Sequence, residues 1–87
     1  MKFHDLYVST KEYFSVGVEE ESGDYYVSIP VRNMKVDYSE YYRIPADVYE
    51  KYKTDLSQLL FIVEECRNRL RDADLFLKPG SDRGDPI

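Results

Sequence analysis

The stretch Tyr25-Tyr26-Val27-Ser28-Ile29-Pro30-Val31 decides the fold class of this chain. Its odd-numbered residues are aromatic or β-branched, and alternation with a period of two is the pattern of a β-strand that buries one face. The pattern therefore predicts a strand whose odd-numbered side chains enter a core. Tyr26 and Ser28 are expected on the opposite side, and Pro30 indicates incomplete pairing at that end of the strand.

Two neighbouring stretches repeat the alternation. Residues 13–19 place Phe14, Val16 and Val18 on one face, and residues 36–44 place Val36, Tyr38, Tyr42 and Ile44 on one face. The connecting residues, 20–24 and 32–35, are short and rich in turn formers, and short connections favour antiparallel neighbours. The three strands predict an antiparallel meander. Residues 1–10 form either a fourth strand or a loose clasp, and both readings stay open.

The pattern changes at Pro45, which suits the first turn of a helix because its missing N–H costs nothing there. We predict a short helix over 46–53 and a second helix that Asp55 caps, with Gln58 three residues later. Apolar residues then recur with a period of roughly 3.6 residues, which predicts a helix face packed on the sheet. The members of this stripe are Leu56, Leu59, Leu60, Val63, Cys66 and Leu70.

These elements predict an α+β fold, in which a C-terminal helix or bent helical hairpin packs on one face of a three- or four-stranded antiparallel meander. Residues 1–78 are expected to form one domain, within which residues 74–77 add a short edge strand or pack over the core. Residues 79–87 are rich in Gly, Pro, Ser and Asp, and we expect a mobile tail there.

The charge balance limits the partners. The 87 residues carry 17 acids against 12 Lys and Arg, a formal net charge of −5. Nucleic acids and anionic membranes attract clustered cations, so we expect neither as a direct partner. The first ten residues lack the apolar run of a signal peptide, and we expect a cytoplasmic protein.

No pattern of catalytic, metal-binding or nucleotide-binding residues is present. The single cysteine, Cys66, lies on the helix stripe, where a buried thiol is expected, and the single histidine, His4, is expected at the surface. One Cys and one His do not make a zinc site. We expect neither an enzyme nor a cofactor. Arg83-Gly84-Asp85 matches the integrin-binding tripeptide, a match that chance readily produces.

The tyrosines supply the candidate binding surface. The chain has nine tyrosines and no tryptophan, and tyrosine is enriched at protein interfaces. If helices cover one sheet face only, part of the other face is an aromatic patch beside the acidic hairpin tip. Its predicted members are Tyr13, Glu19, Glu20, Glu21, Asp24, Tyr26 and Tyr41. Cross-strand tyrosine pairing on an ordinary solvent face, with a solvated tip, remains the alternative.

The run Tyr25–Val31, the run Val36–Tyr42 and the segment from Pro79-Gly80 to Arg83-Gly84 resemble a family of small bacterial proteins. In size, acidity and lack of catalytic motifs the chain is similar to the immunity proteins of bacterial toxin–immunity pairs. That resemblance implies a non-enzymatic protein that occludes the active site of a basic toxin domain, often a nuclease. Two alternatives stay open: a phage-type inhibitor that mimics nucleic acid, and a structural accessory subunit or homodimer.

Overall fold

A computed structural model describes residues 1–87 and confirms the α+β prediction. An antiparallel five-stranded sheet carries two helices. The elements in chain order are β1 (Phe3–Ser9), β2 (Phe14–Glu19), β3 (Tyr25–Arg32), β4 (Asp37–Ile44), α1 (Ala46–Tyr52), a 3₁₀ turn (Leu56–Leu59), α2 (Leu60–Arg67), a 3₁₀ turn (Asp72–Asp74) and β5 (Asp85–Pro86). Neither helix is long and apolar enough to cross a membrane.

The strands follow one another across the sheet in the order β1-β2-β3-β4, as the meander predicts. The N-terminal residues supply β1, which settles the open question between a strand and a clasp. A bulge between Asp5 and Tyr7 shifts the β1–β2 register by one residue. Phe3 and Asp5 therefore lie on the sheet face that points away from the helices, whereas Tyr7 packs against the core.

The core lies between α2 and the predicted apolar face of β2, β3 and β4. Odd-numbered residues of β3 and even-numbered residues of β4 meet the helix stripe there, as the alternation predicts. The thirteen buried members are Phe14, Val16, Val27, Ile29, Val31, Tyr42, Ile44, Leu56, Leu59, Ile62, Val63, Cys66 and Leu75. The Cys66 thiol is fully buried, as expected, and burial raises its pKa to about 12.

Two core assignments at the ends of elements were wrong. Leu70 is 71% exposed because α2 ends at Arg67 and Arg69 turns the chain with a positive φ of 59°. Val36 is 56% exposed because it precedes the first residue of β4. Asp55 does cap the second helical segment, which opens as a 3₁₀ turn: its carboxylate accepts the N–H of Ser57.

The segment predicted as a mobile tail instead packs against the sheet. Asp85 and Pro86 form β5, which pairs with Arg32 and Val31 at the end of β3 that β2 does not reach. The Arg83 side chain is only 14% exposed. The tail is therefore part of the fold from Arg83 onward.

A buried carboxylate explains why Arg83 is drawn in. Glu40 is 6% exposed on the core face of β4, and a buried carboxylate is costly unless it is paired and hydrogen-bonded. Arg83 Nε lies 2.7 Å from Glu40 Oε2, and Arg83 Nη1 lies 2.7 Å from Asp72 Oδ2. The Tyr42 hydroxyl donates to Glu40 Oε1 at 2.8 Å. The Arg83 guanidinium also lowers the pKa of Asp72.

The Arg83-Gly84-Asp85 tripeptide is thereby used within the fold. Gly84 is buried and donates its N–H to the Tyr38 hydroxyl at 2.8 Å. Its Cα packs so closely on the backbone of Arg32 that a side chain would overlap it. Two of the three residues are therefore held inside the molecule in positions that an integrin-type ligand loop would have to expose.

We expect Arg83→Met to lower the free energy of unfolding by about 3 kcal/mol, because Glu40 would stay buried without its cation. Urea unfolding followed by circular dichroism measures the change. Arg32→Met is the matched control: it removes an Arg–Asp37 pair whose side chains are 64% and 57% exposed, and should cost less than about 1 kcal/mol. Equal losses in the two variants would contradict the structural role of the buried pair.

Candidate functional site

The sheet face that points away from the helices, here called the second face, has an aromatic half. Four rings pack together there: those of Phe3, Tyr26, Tyr41 and Phe76. Phe3 and Tyr41 stack with centroids 3.8 Å apart and planes 11° apart, and Tyr26 meets both edge-on. Tyr26 has no exposed surface, so the prediction that it is exposed was wrong. Tyr41 is half-buried.

Gly17 makes this packing geometrically feasible. The Tyr26 ring extends over Gly17 of β2, and a methyl group at that position would overlap the Tyr26 hydroxyl and the His4 carbonyl oxygen. The ring therefore occupies the space that any other side chain at position 17 would need. From there the Tyr26 hydroxyl donates to Asp5 Oδ1 on β1 at 2.5 Å. Burial and the Asp5 carboxylate raise the pKa of Tyr26.

The C-terminal segment closes this half of the face at the β4 edge. Phe76 donates its N–H to the Tyr41 carbonyl oxygen at 3.0 Å, and its ring meets Phe3 edge-on at 5.3 Å. The Arg43 guanidinium lies 4.1 Å from the centre of the Phe76 ring and pairs with Asp24 at 3.3 Å. The edge of β4 is therefore covered here, and β1 supplies the open edge of the sheet.

The other half of the second face, here called the serine half, carries small side chains. The hydroxyl groups of Ser15 and Ser28 are hydrogen-bonded, with their oxygens 2.6 Å apart. Together with Pro30 and Ser39 they form the floor of this half. This floor forms a shallow depression of about 230 Å³, in which Ser28 is buried at 3% exposure and Ser39 is exposed. Val8, 59% exposed, and Tyr13, 55% exposed, stand at its rim. The serine half is therefore the part of the second face where small side chains leave a shallow opening.

Tyr13 is held in an unusual backbone conformation. Its φ is 56°, in the left-handed region that residues with a Cβ adopt at a cost. It closes the turn between β1 and β2, at a position where such turns favour Gly or Asn. Arg67 of α2 donates to the carbonyl oxygens of Glu12 and Tyr13. The helix layer thus fixes the backbone that presents this ring.

Tyr13 is also the one tyrosine of the chain whose side chain has no specific partner. Its ring meets no other aromatic ring and its hydroxyl makes no hydrogen bond within the molecule. The remaining eight tyrosines each have a ring partner, a hydroxyl hydrogen bond or both: Tyr7, Tyr25, Tyr26, Tyr38, Tyr41, Tyr42, Tyr49 and Tyr52. Intramolecular packing accounts for those eight and leaves Tyr13 without an explanation.

The sequence led us to expect Glu19 at an exposed hairpin tip, and the structure shows that it is buried instead. It is 3% exposed, and its carboxylate accepts the backbone N–H groups of Lys2, Glu21 and Ser22 at 2.9, 2.9 and 3.0 Å. These hydrogen bonds stabilise the ionised form and lower the pKa of Glu19 from 4.5 to about 2. Glu19 therefore organises the turn and ties residue 2 to it.

The other three predicted acids are exposed, but each lies beside a cationic group or His4. Glu20 is 3.7 Å from His4, Glu21 is 2.7 Å from the N-terminal ammonium, and Asp24 is 3.3 Å from Arg43. They lie at the opposite end of β2 from Tyr13, about 20 Å away along a six-residue strand. The seven predicted residues therefore do not form one surface. Tyr26 and Tyr41 are in contact with each other, whereas Tyr13 lies at one end of β2 and the four acids lie at the other.

A groove of about 320 Å³ lies between the aromatic half and residues 77–82. Its charged lining residues are Glu40, Lys78 and Asp82, and Glu40 is already bound to Arg83. His4 is exposed, as predicted, and its one ionic neighbour is Glu20. No set of three His, Cys, Asp or Glu side chains converges on a point where a metal ion could bind.

No protein-family model matches this chain, and searches of curated proteins and of solved structures gave no significant match.

Gly17→Ala tests the packing of the aromatic half. We expect the free energy of unfolding to fall by about 3 kcal/mol, the upper end of the range for overpacking, because the added methyl group would overlap the backbone oxygen of His4 as well as the Tyr26 ring. Thermal and urea unfolding measure the change. Gly80→Ala is the control, since a Cβ there meets only a side-chain oxygen of Asp82 at 3.3 Å. A Gly17→Ala variant as stable as wild type would show that the Tyr26 ring does not pack over Gly17 of β2.

The Glu19 carboxylate predicts a contribution to stability that depends on pH. Its folded pKa is depressed, so its contribution is complete above pH 4.5 and is lost as the pH falls towards 2. We expect Glu19→Gln to unfold at lower urea concentration than wild type at pH 7, with the difference shrinking between pH 4.5 and 2. Glu20→Gln is the control for the loss of one charge. If the stability difference between Glu19→Gln and wild type did not change with pH, the ionised Glu19 carboxylate could not be the group that accepts these hydrogen bonds.

Proposed function

We propose that this chain is a protein-binding module of the immunity type, which binds a basic toxin domain and blocks its active site. The single observation that carries the binding proposal is Tyr13. It is a half-exposed tyrosine without an intramolecular partner, on a backbone position where Gly or Asn would be less strained. Aromatic anchors of this kind supply much of the binding energy at protein interfaces.

The backbone strain at Tyr13 is not offset by any specific contact of its side chain within the molecule. A non-glycine residue in the left-handed region costs on the order of 1–2 kcal/mol. Sparsely populated backbone conformations persist where the surroundings hold them, and they cluster at functional positions. Here the Arg67 side chain stabilises the conformation by donating hydrogen bonds to the carbonyl oxygens of residues 12 and 13. A ring fixed in advance also loses less conformational entropy when a partner binds.

The surroundings of Tyr13 suit a protein partner. The serine half beside it is a shallow depression lined by hydroxyl groups, and Val8 adds a second exposed apolar side chain. The net charge of −5 favours a basic partner through long-range attraction. Glu20, Glu21 and Asp24 contribute to that attraction at the far end of β2, where neighbouring cationic groups reduce their local field.

Tyr13→Asn separates binding from folding. Asn tolerates the left-handed region, so we expect the free energy of unfolding to stay the same or to rise by about 1 kcal/mol. We expect binding to fall by at least about 30-fold, a typical loss for an interface anchor. The measurement is retention of a stoichiometric basic protein from source-cell extract on immobilised wild-type and variant protein, followed by calorimetry with the purified partner. Addition of the wild-type chain should abolish the partner's catalytic activity.

Leu70→Asn is the matched control, because Leu70 is 71% exposed and follows the end of α2, in the helix layer and not on the sheet. It should bind the partner as wild type does. Absence of any stoichiometric partner on the wild-type column would refute the binding function. Equal retention by the Tyr13→Asn variant would refute the assignment of the surface, and a partner that stays active in the complex would refute the inhibitor role.

A homodimer formed through β1 is a second candidate, favoured by one observation. The outer edge of β1 is unpaired over seven residues, and Leu6 on it is 48% exposed. The bulge beside Leu6 and the polar His4 and Asp5 disfavour regular pairing at that edge. Sedimentation equilibrium tests the alternative: a monomer excludes it, and a dimer that Leu6→Lys dissociates supports it.

A further inference from the structure

Asp5 is a carboxylate on the second face that has no cation. It is exposed and takes part in none of the ion pairs of the molecule, although most acidic side chains of the chain do. Its orientation is nevertheless fixed, because Oδ1 accepts the hydroxyl of the fully buried Tyr26. The second carboxylate oxygen, Oδ2, accepts no hydrogen bond within the molecule and remains free to accept one from outside.

Aromatic rings lie next to this carboxylate. The Tyr26 ring that holds Asp5 is 5.1 Å from the ring of Tyr41 and 5.3 Å from the ring of Phe3. The charge of Asp5 acts on the Tyr41 hydroxyl, whose pKa is raised by burial and by this carboxylate. Asp5 and the half-buried Phe3–Tyr41 stack therefore form one local environment at the rim of the second face.

The same face already binds one guanidinium with the same two components. Arg43 lies 4.1 Å from the centre of the Phe76 ring and 3.3 Å from the Asp24 carboxylate. A ring face attracts a cation through its quadrupole, and the carboxylate adds a charge-assisted hydrogen bond. Asp5 with Phe3 and Tyr41 repeats this combination of carboxylate and rings, but the chain supplies no cation to it.

We propose that Asp5, with the Phe3–Tyr41 stack, is the position that receives an arginine side chain of the basic partner. The inference rests on the proposed function and names the partner group that the aromatic half recognises. Arginine fits better than lysine because its planar guanidinium can lie against a ring while one N–H donates to Asp5 Oδ2. Tyr13 and Asp5 would then anchor the same partner at two separate points of the second face.

The direct test uses a small probe instead of the partner. N-acetyl-arginine methylamide is titrated into ¹⁵N-labelled protein at low salt, and amide shifts are followed by NMR. We expect saturable shifts at residues 5, 17, 26 and 41, and none with the uncharged isostere N-acetyl-citrulline methylamide. Asp5→Asn keeps an acceptor for the Tyr26 hydroxyl and removes the charge. We expect it to weaken binding of the probe about tenfold, the effect of one charge-assisted hydrogen bond.

Asp47→Asn is the matched control, because Asp47 is an exposed acid without an ion pair on α1, on the helix side of the sheet. It should bind the probe as wild type does. Equal affinities in the Asp5→Asn and Asp47→Asn variants, or shifts spread over all exposed acids, would overturn the site. Lysine methylamide binding as tightly as the arginine derivative would overturn the assignment to a guanidinium.

The two proposals fail in distinguishable ways. If the probe binds at Asp5 but the wild-type column retains no partner, the cation site stands and the immunity function falls. If a partner is retained equally by the Asp5→Asn and Asp47→Asn variants, and the probe does not bind, the function stands and the site falls. Both are supported together when Asp5→Asn weakens the partner and the probe by similar factors.

Discussion

The packing of Tyr26 on Gly17 determines what the second face can do. A side chain at position 17 would lift the Tyr26 ring, and the Phe3–Tyr41 stack could not then close over it. With the ring in place, Tyr26 joins β3 to Asp5 of β1 across the intervening strand. One half of the second face thus becomes a small aromatic core with Asp5 exposed at its rim, and the shallow depression lies in the serine half.

Periodicity predicted the strands, because side chains of a strand must alternate between faces whatever lies on either side. It did not predict burial on the second face, because alternation tells which way Tyr26 points and says nothing about what covers it. The covering rings are those of Phe3 and Phe76, which are distant from Tyr26 in sequence. Phe3 reaches the second face because of the bulge in β1, and Phe76 reaches it because its backbone binds Tyr41 at the edge of β4. A glycine within β2 was the available signal, since a strand glycine often marks close approach of another group.

The C-terminal segment illustrates a second limit of local patterns. Gly, Pro, Ser and Asp are typical of mobile tails, and composition alone gave no reason to place Arg83 in the interior. The informative residue lies more than forty positions earlier. Glu40 falls on the core face of β4 between Tyr38 and Tyr42, and a carboxylate at a core position requires a cation. Arg83 meets that requirement and brings β5 with it.

Two residues other than glycine adopt positive φ, and their comparison narrows the role of Tyr13. Arg69 follows the end of α2, and its side chain binds the Gly84 carbonyl oxygen and the Asp85 carboxylate, so the fold gains contacts to β5 at that position. Tyr13 incurs a similar backbone cost, yet its ring gains no comparable contact and remains half-exposed. A strained position whose side chain contributes nothing specific to folding supports the proposed contact with a partner. Its place beside the depression of the serine half is where we propose that this contact occurs.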